Sequence, residues 1–430
     1  MTLEGRRALG VGMEKSGRAV AAFLSARGAV VTTTDLKPHD TPGFRPQSDE
    51  LFEEAWDLIV LSPGVPADLP GLSRARARGV DVIGEIELAA PFLLGKTIGI
   101  TGSNGKTTTT SLVFHILQHA GLPAQLGGNI GTPVVAMVDS SRAGQWNVLE
   151  LSSFQLETAR SFRVHIGACL NVTQNHLDRH HTFERYAGAK GQLFRQQQAG
   201  DFAVLNGDDA VCRSFASLTP AQTHWFSKAD LEGGEARIDG QRLMALADIP
   251  IPGLHNAENV LAAARIANLA GIGLPLIAGA VRSFKAVEHR LEFVAEHKGV
   301  RFYNDSKATS VDATIKALDS FTGKLWVILG GTDKGSDYTL LAERLRSKAR
   351  GVLLIGAASG IIEKQLAGLV ATQPAGTLRH AVDTAWAAAL PGDTVLLAPA
   401  CSSFDQFRNY EHRGSVFKEI VNGLVHGTTA

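Results

Sequence analysis

Closely spaced glycines lead into a lysine and hydroxyls in Thr101-Gly102-Ser103-Asn104-Gly105-Lys106-Thr107-Thr108. An apolar run precedes this segment and a helix-type stretch follows it, the setting a phosphate-binding loop requires. There, glycines let backbone N–H groups converge on phosphate oxygens, and the helix N-terminus adds positive potential. Lys106 would reach the terminal phosphates, and the Thr107 hydroxyl would ligate Mg²⁺. The strict spacing G-x-x-x-x-G-K-[ST] asks for glycine at position 100, where Ile100 stands with Gly99 one place early. The competing reading is an ordinary glycine-rich turn.

A second glycine cluster, Gly10-Val11-Gly12 with Gly17, precedes Asp35 at the end of the next apolar run. A dinucleotide fingerprint places glycines there and uses the acid on a ribose hydroxyl, but its third glycine is Lys15 here. Another nucleotide at the same helix N-terminus fits better than NAD, and a βα turn without ligand is the plain alternative. Glu150, opening ELSSFQ, falls at a strand end, where open parallel sheets bind ligands and where an acid beside a phosphate loop could hold Mg²⁺. His176, in NVTQNHLD, could meet a metal or substrate or be structural. Lys190, in YAGAKGQLF, reads by itself as a surface lysine. Toward the C-terminus, Glu288-His289-Arg290, Tyr303-Asn304-Asp305-Ser306-Lys307-Ala308-Thr309, GGTDK at 330–334 and ACSSFD at 400–405 are further polar clusters at strand ends. Such clusters on one parallel sheet usually share a site.

The elements that must position these residues alternate strand with helix, which implies parallel sheets with crossover helices. Strands are predicted at 6–12, 29–35, 57–65, 146–151, 164–172 and 201–209, with helices at 16–27 and 255–271. A turn-rich segment at 221–252 reads as a small antiparallel insert, and four more strands follow residue 288. With 430 residues and roughly 150 per domain, about three domains are expected. The pattern of elements, with a junction at Pro91–Gly95 and a new α/β set from about Glu288, places a Rossmann-like first domain at 1–92, a phosphate-loop domain at 93–286 and a third α/β domain at 287–430. The fold class is α/β, with three such domains in series and the outer two Rossmann-like.

Forty-two basic residues balance 42 acidic ones, which argues against a broad nucleic-acid or anionic-membrane surface while leaving room for a basic cleft. Three dispersed cysteines, Cys169, Cys212 and Cys401, exclude a disulfide framework and suit a reducing compartment. The start MTLEGRRALGVGM lacks an apolar signal core, and no run approaches 18 apolar residues. A cytoplasmic protein is expected, with a frayed tail at HGTTA.

Taken in order, TGSNGKT, GGNIG (127–131), ELSSFQLE (150–157), NVTQNHLDRH (171–180), GLHNAENVLAA (253–263), HR (289–290), NDSKAT (304–309), GGTDK (330–334) and the cluster at 399–413 resemble the Mur ligases. The likeness runs from residue 6 nearly to the end, and the TGxNGKT form of that family accounts for the missing glycine. The DSKAT form resembles its glutamate-adding members. The resemblance implies an ATP-dependent amide ligase in peptidoglycan precursor synthesis. ATP would phosphorylate the carboxylate of UDP-N-acetylmuramoyl-L-alanine, and D-glutamate would attack the acyl phosphate.

It further implies roles for single residues. Gly102, Ser103, Asn104, Gly105, Lys106, Thr107, Thr108, Asn256, Asn259, Arg290 and Asp305 would bind ATP. Thr107, Glu150, His176 and Lys190, the last carrying a CO₂-derived carbamate, would hold Mg²⁺, with two ions expected. Lys106, Glu150, His176 and Lys190 would be the catalytic set. Ser16, Gly17, Asp35, Leu36, Lys37, Gly64, Asn129 and His176 would hold the muramoyl nucleotide. Lys307, Thr309, Lys334, Ser403 and Tyr410 would form the D-glutamate pocket. Two features depart from the family pattern: Tyr410 stands where Phe is usual, and the first glycine loop has the longer form GMEKSG. The partners implied are these small molecules, with no nucleic acid or membrane, and a monomer is expected. The rival readings are another amide ligase of the superfamily, such as a folylpolyglutamate synthetase, and an oxidoreductase using the N-terminal glycine loop.

Overall fold

The computed structural model describes residues 2–285 and 287–427; the expected boundary at 286 and residues 428–430 of the tail lie outside them. Among the described residues the chain forms an α/β protein with three large sheets and a separate two-stranded hairpin. The first comprises β1 (Arg7–Val11), β2 (Val30–Thr34), β3 (Leu58–Leu61) and β4 (Asp81–Gly84), all parallel in the order β2-β1-β3-β4. The second comprises β5 (Lys96–Thr101), β6 (Ala124–Gly128), β7 (Trp146–Glu150), β8 (Ile166–Cys169), β9 (Phe202–Asn206) and β10 (Gln222–Phe226), in the order β10-β9-β8-β5-β7-β6. A hairpin of β11 (Glu235–Ile238) and β12 (Gln241–Ala245) follows. The third sheet contains β13 (Glu292–His297), β14 (Val300–Asn304), β15 (Leu325–Gly330), β16 (Ala349–Ile355), β17 (Gln373–Gly376) and β18 (Thr394–Leu397), ordered β13-β14-β18-β15-β16-β17. Two compact units result. Residues 1–246 and 258–282 carry the first two sheets, and residues 247–257 and 283–430 carry the third.

Helices cover both faces of these sheets, so the strands read as continuous apolar runs. Successive side chains go to opposite faces. In β3, Leu58 and Val60 enter one core while Ile59 and Leu61 enter another. In β15, Val327 and Leu329 separate in the same way from Ile328.

Two expectations need correction. Residues 222–226 are not part of an antiparallel insert; β10 extends the central sheet in parallel with β9, and only β11 and β12 form the hairpin. The third sheet has six strands where four were expected. β13 is an antiparallel edge strand with mixed burial, and β17 contains Pro374 and is mostly exposed. Edge strands escape sequence reading because half their groups face solvent, which removes the apolar run.

Candidate active site

Strand order explains why the motif loops converge. β7 and β8 flank β5, so the loops after all three leave one edge of the central sheet side by side. The loop after β5 runs from Gly102 to Gly105 into the helix Lys106–His119. Gly105 has φ +82°, and a Cβ there would lie 2.2 Å from Asn259 Oδ1, so the turn admits only glycine and puts Asn259 against the loop. Asn171, at the end of β8, grips Asn104 from both sides: Asn104 N donates to Asn171 Oδ1 at 2.9 Å, and Asn171 Nδ2 donates to Asn104 O at 3.2 Å. The Ser103 hydroxyl lies 2.8 Å from Tyr186 Oη and donates to Thr173 O at 3.0 Å.

Lys106 Nζ donates to Gly102 O at 2.8 Å and to Ser103 O at 3.0 Å. Lys190 Nζ donates to the same Gly102 oxygen at 2.8 Å, so two ammonium groups share one carbonyl. Lys190 is not the surface residue its sequence context suggests; it is 1% exposed. Its helix, Phe183–Arg195, starts at Thr182, whose hydroxyl accepts from Arg185 N, and the apolar face turns Tyr186 and Lys190 inward together. The ammonium rests 4.6 Å from the Tyr186 ring centre. Burial, followed by the charge of Lys106, pushes the Lys190 pKa down to about 7.

Glu150, 3% exposed at the end of β7, accepts from Asn129 Nδ2 at 2.7 Å through Oε1. Its Oε2 is fully buried and has no hydrogen-bond partner among the described residues. A buried carboxylate oxygen left this way costs on the order of 1–3 kcal/mol or more unless a proton or cation compensates. Thr107 and Thr108 are buried in the first turn of the phosphate-loop helix. His176 is exposed, adopts φ +53° at the start of the helix Leu177–His180, and packs edge-on to Phe154 at 5.0 Å.

At the edge of the first sheet, the loops after β1, β2 and β3 open onto a cavity of about 550 Å³, whose lining includes Ser16, Asp35, Leu36, Gly64 and Asn129. Gly17, Lys37 and His176 are not among its lining residues. Gly17 has a packing role instead. A Cβ on it would sit 1.7 Å from Gly12 O, so it supplies the close helix–strand approach that Lys15 cannot. Lys15 Nζ reaches across to Gly131 O in the loop after β6. Asp35 accepts from Met13 N at 2.6 Å and Lys37 N at 3.1 Å. Partial burial works against its charge, but these hydrogen bonds and nearby His39 prevail and hold the carboxyl below its usual range.

In the second unit, β14, β18 and β15 are neighbours, so the loops carrying 305–309, 400–405 and 330–334 meet at one edge. Lys307 Nζ donates to Tyr410 Oη at 2.8 Å and lies 4.4 Å from that ring's centre. Ser403 is buried, Thr309 half-buried and Lys334 exposed. Asp305 is pushed up to about 6 by burial, against the charge of Arg290, and accepts from Leu291 N at 3.2 Å. Asn256 Nδ2 donates to Pro252 O at 2.6 Å. Cys401 is a buried small residue, 3.0 Å from Tyr338 Oη. In the first unit, Cys169 and Cys212, 43 residues apart in sequence, lie 3.5 Å apart as free thiols.

Arg413 closes the 399–413 cluster in the sequence without a role of its own there, and it is fully buried. It donates to Ser306 Oγ (3.0 Å) and to the carbonyls of Ser306 (2.9 Å), Cys401 (3.1 Å), Gly330 (3.4 Å) and Ser402 (3.4 Å). None of these partners is charged, and together they join the ends of β14, β15 and β18. Burial lowers its pKa to about 10, so it remains a cation at neutral pH. Arg413→Met, which keeps the stem but strands these carbonyls, is expected to destabilise the second unit by about 2–5 kcal/mol, read as a lower denaturation midpoint. A midpoint equal to that of the unsubstituted protein would remove Arg413 from this role.

A phosphate loop within three parallel-sheet domains defines a nucleotide-binding α/β enzyme. Residues 100–267 match the Mur ligase middle domain, and residues 289–401 match the Mur ligase glutamate ligase domain. The chain is 64% identical to a UDP-N-acetylmuramoylalanine–D-glutamate ligase of Solibacter usitatus, covering 99% of both chains, and 49% identical to its counterpart in Acidobacterium capsulatum, covering 98% and 97%. Its fold is similar to that of the UDP-N-acetylmuramate-alanine ligase of Thermotoga maritima, with a TM-score of 0.61 at 19% identity over 97% of this chain and 100% of that one. The chain belongs to the Mur ligase family.

Proposed function

We infer that this chain is an ATP-dependent ligase that forms the amide between UDP-N-acetylmuramoyl-L-alanine and D-glutamate in peptidoglycan precursor synthesis. The observation that carries the reading is the end-to-end likeness to glutamate-adding ligases of a chain that sets a strand–TGSNGKT–helix loop beside Lys190 and Glu150. The alanyl carboxylate attacks the γ-phosphorus of ATP and ADP leaves. The glutamate amine then attacks the acyl carbon, and phosphate leaves as the amide forms.

Lys106 and the backbone N–H groups of 102–108 bind the phosphates, with Asn256, Asn259, Arg290 and Asp305 on the rest of ATP. The first sheet's cavity takes the uridine end, where Lys15 in place of a glycine disfavours a dinucleotide. Lys307, Thr309, Lys334, Ser403 and Tyr410 take D-glutamate, whose two carboxylates call for cations and hydroxyls. Residues 1–92, 93–286 and 287–430 divide these tasks in a cytoplasmic monomer.

The donors suit Mg²⁺, which prefers oxygen ligands: Glu150 has a buried, unpartnered oxygen, and Lys190 has an amine poised to lose its proton. Thr107, Glu150, His176 and carbamylated Lys190 would hold two such ions. Bound there, Mg²⁺ would neutralise phosphoryl charge. Lys106 keeps a second positive charge at the loop, and Asn129 fixes the Glu150 carboxylate.

ADP release tests the reading, with UDP-N-acetylmuramoyl-L-alanine offered alongside D-glutamate, L-glutamate, diaminopimelate or lysine. Turnover is expected with D-glutamate alone. Comparable rates with any other amino acid sink the assignment. Turnover with a folate acceptor, or NAD binding tighter than the muramoyl nucleotide, would favour the rival readings.

A further inference from the structure

Gly64 and Val65, in the loop after β3, line the cavity of the first sheet, and their carbonyls both accept hydrogen bonds from a single side chain. Arg179 Nη1 donates to Gly64 O at 3.3 Å and Nη2 to Val65 O at 2.7 Å. Arg179 Nη2 also donates to Glu157 Oε2 at 2.9 Å, and the guanidinium lies 5.3 Å from the Phe154 ring centre. The side chain is 11% exposed.

Three segments therefore meet on one planar fork. The first is the 62–66 loop, held at its base by Ser62 Oγ donating to Gly12 O at 2.7 Å. The second is the helix Leu177–His180, which carries Arg179 itself and begins beside His176. The third runs on from Glu150, the last residue of β7, and includes Phe154 and Glu157. An arginine can serve two carbonyls and a carboxylate at once because its donors are fixed in a plane; a lysine ammonium has no such fork.

We propose that Arg179 is a positioning residue that fixes the 62–66 loop of the muramoyl-nucleotide pocket relative to the segments carrying His176 and Glu150. The proposal rests on the functional reading above. Arg179 touches no substrate in this role. It sets the distance between where the nucleotide end is gripped and where the alanyl carboxylate meets the phosphate, a distance on which transfer rates depend steeply. An ordinary exposed ion pair would contribute little and affect every substrate alike. The tether, in contrast, acts on one substrate.

The test is steady-state ADP release by the full-length chain carrying Arg179→Ala or Arg179→Lys. Arg179→Ala is expected to raise KM for UDP-N-acetylmuramoyl-L-alanine by about tenfold and to lower kcat, with KM for ATP and D-glutamate unchanged. Arg179→Lys should give a smaller change of the same pattern. If the alanine variant does not fold, the lysine variant decides, since it keeps the charge and most of the side-chain length while removing the planar fork. An unchanged KM for the muramoyl nucleotide, or an equal rise for all three substrates, overturns the proposal. An unsubstituted enzyme inactive with these substrates would instead defeat the functional reading. Calorimetry with UDP would then decide the positioning role, with weaker binding to Arg179→Ala supporting it and equal binding refuting it.

Discussion

Alanine in place of Lys190 is expected to reduce turnover by about 10²–10³ while leaving the fold intact, because on the proposed reading it removes the carbamate that would serve as a carboxylate-like ligand where charge develops. A lysine at its ordinary pKa of 10.5 is neutral in roughly one molecule in three thousand at pH 7, too few for ready reaction with CO₂. Lys190, held at about 7, is neutral about half the time. Its neutral fraction grows as pH rises through that value, so the gain in activity from added bicarbonate should increase from about pH 6 to about pH 8. Labelling with ¹³C-bicarbonate should give a carbamate carbonyl resonance that the alanine variant lacks. Full activity in bicarbonate-free buffer, with no such resonance, would refute the modification.

Lys106→Ala should be at least as damaging, lowering kcat by 10³-fold or more, since one preorganised donor alone is worth about 10²–10³ and this one carries a full charge. A second consequence follows from the shared Gly102 carbonyl. The Lys106 charge helps depress Lys190, so its removal should raise the Lys190 pKa and reduce carbamylation. The two lysines therefore act as a coupled pair, and the double variant should lose less than the sum of the single losses. Retention of half the activity by Lys106→Ala, with an unchanged melting profile, would take this lysine out of the mechanism.

Features written in consecutive residues were legible from sequence. The phosphate loop is one, because glycines, a lysine and hydroxyls between an apolar run and a helix leave few other conformations. The alternation of strands and helices is another. Strands β4, β6, β13 and β17 escaped notice, being short, glycine-containing or half-exposed. Gly17 is out of place in a dinucleotide fingerprint, and only the packing of its helix gives it a reason, since a Cβ there would sit 1.7 Å from Gly12 O.

By itself, the sequence determined the α/β class, the three-sheet order and the loops on which chemistry would sit, since helix and strand periodicity and turn chemistry are local properties. Tertiary structure alone decided which of those loops meet. Strand order placed β5 between β7 and β8, and β18 between β14 and β15, and no local pattern encodes that order. It also decided the state of individual groups. Lys190 is a buried amine whose pKa is pulled down to about 7, Glu150 holds an oxygen unpartnered among the described residues, Arg413 joins three strand ends and Arg179 ties three segments. Each of these depends on desolvation and on partners supplied by segments remote along the chain, because burial sums over all the neighbours the fold brings near.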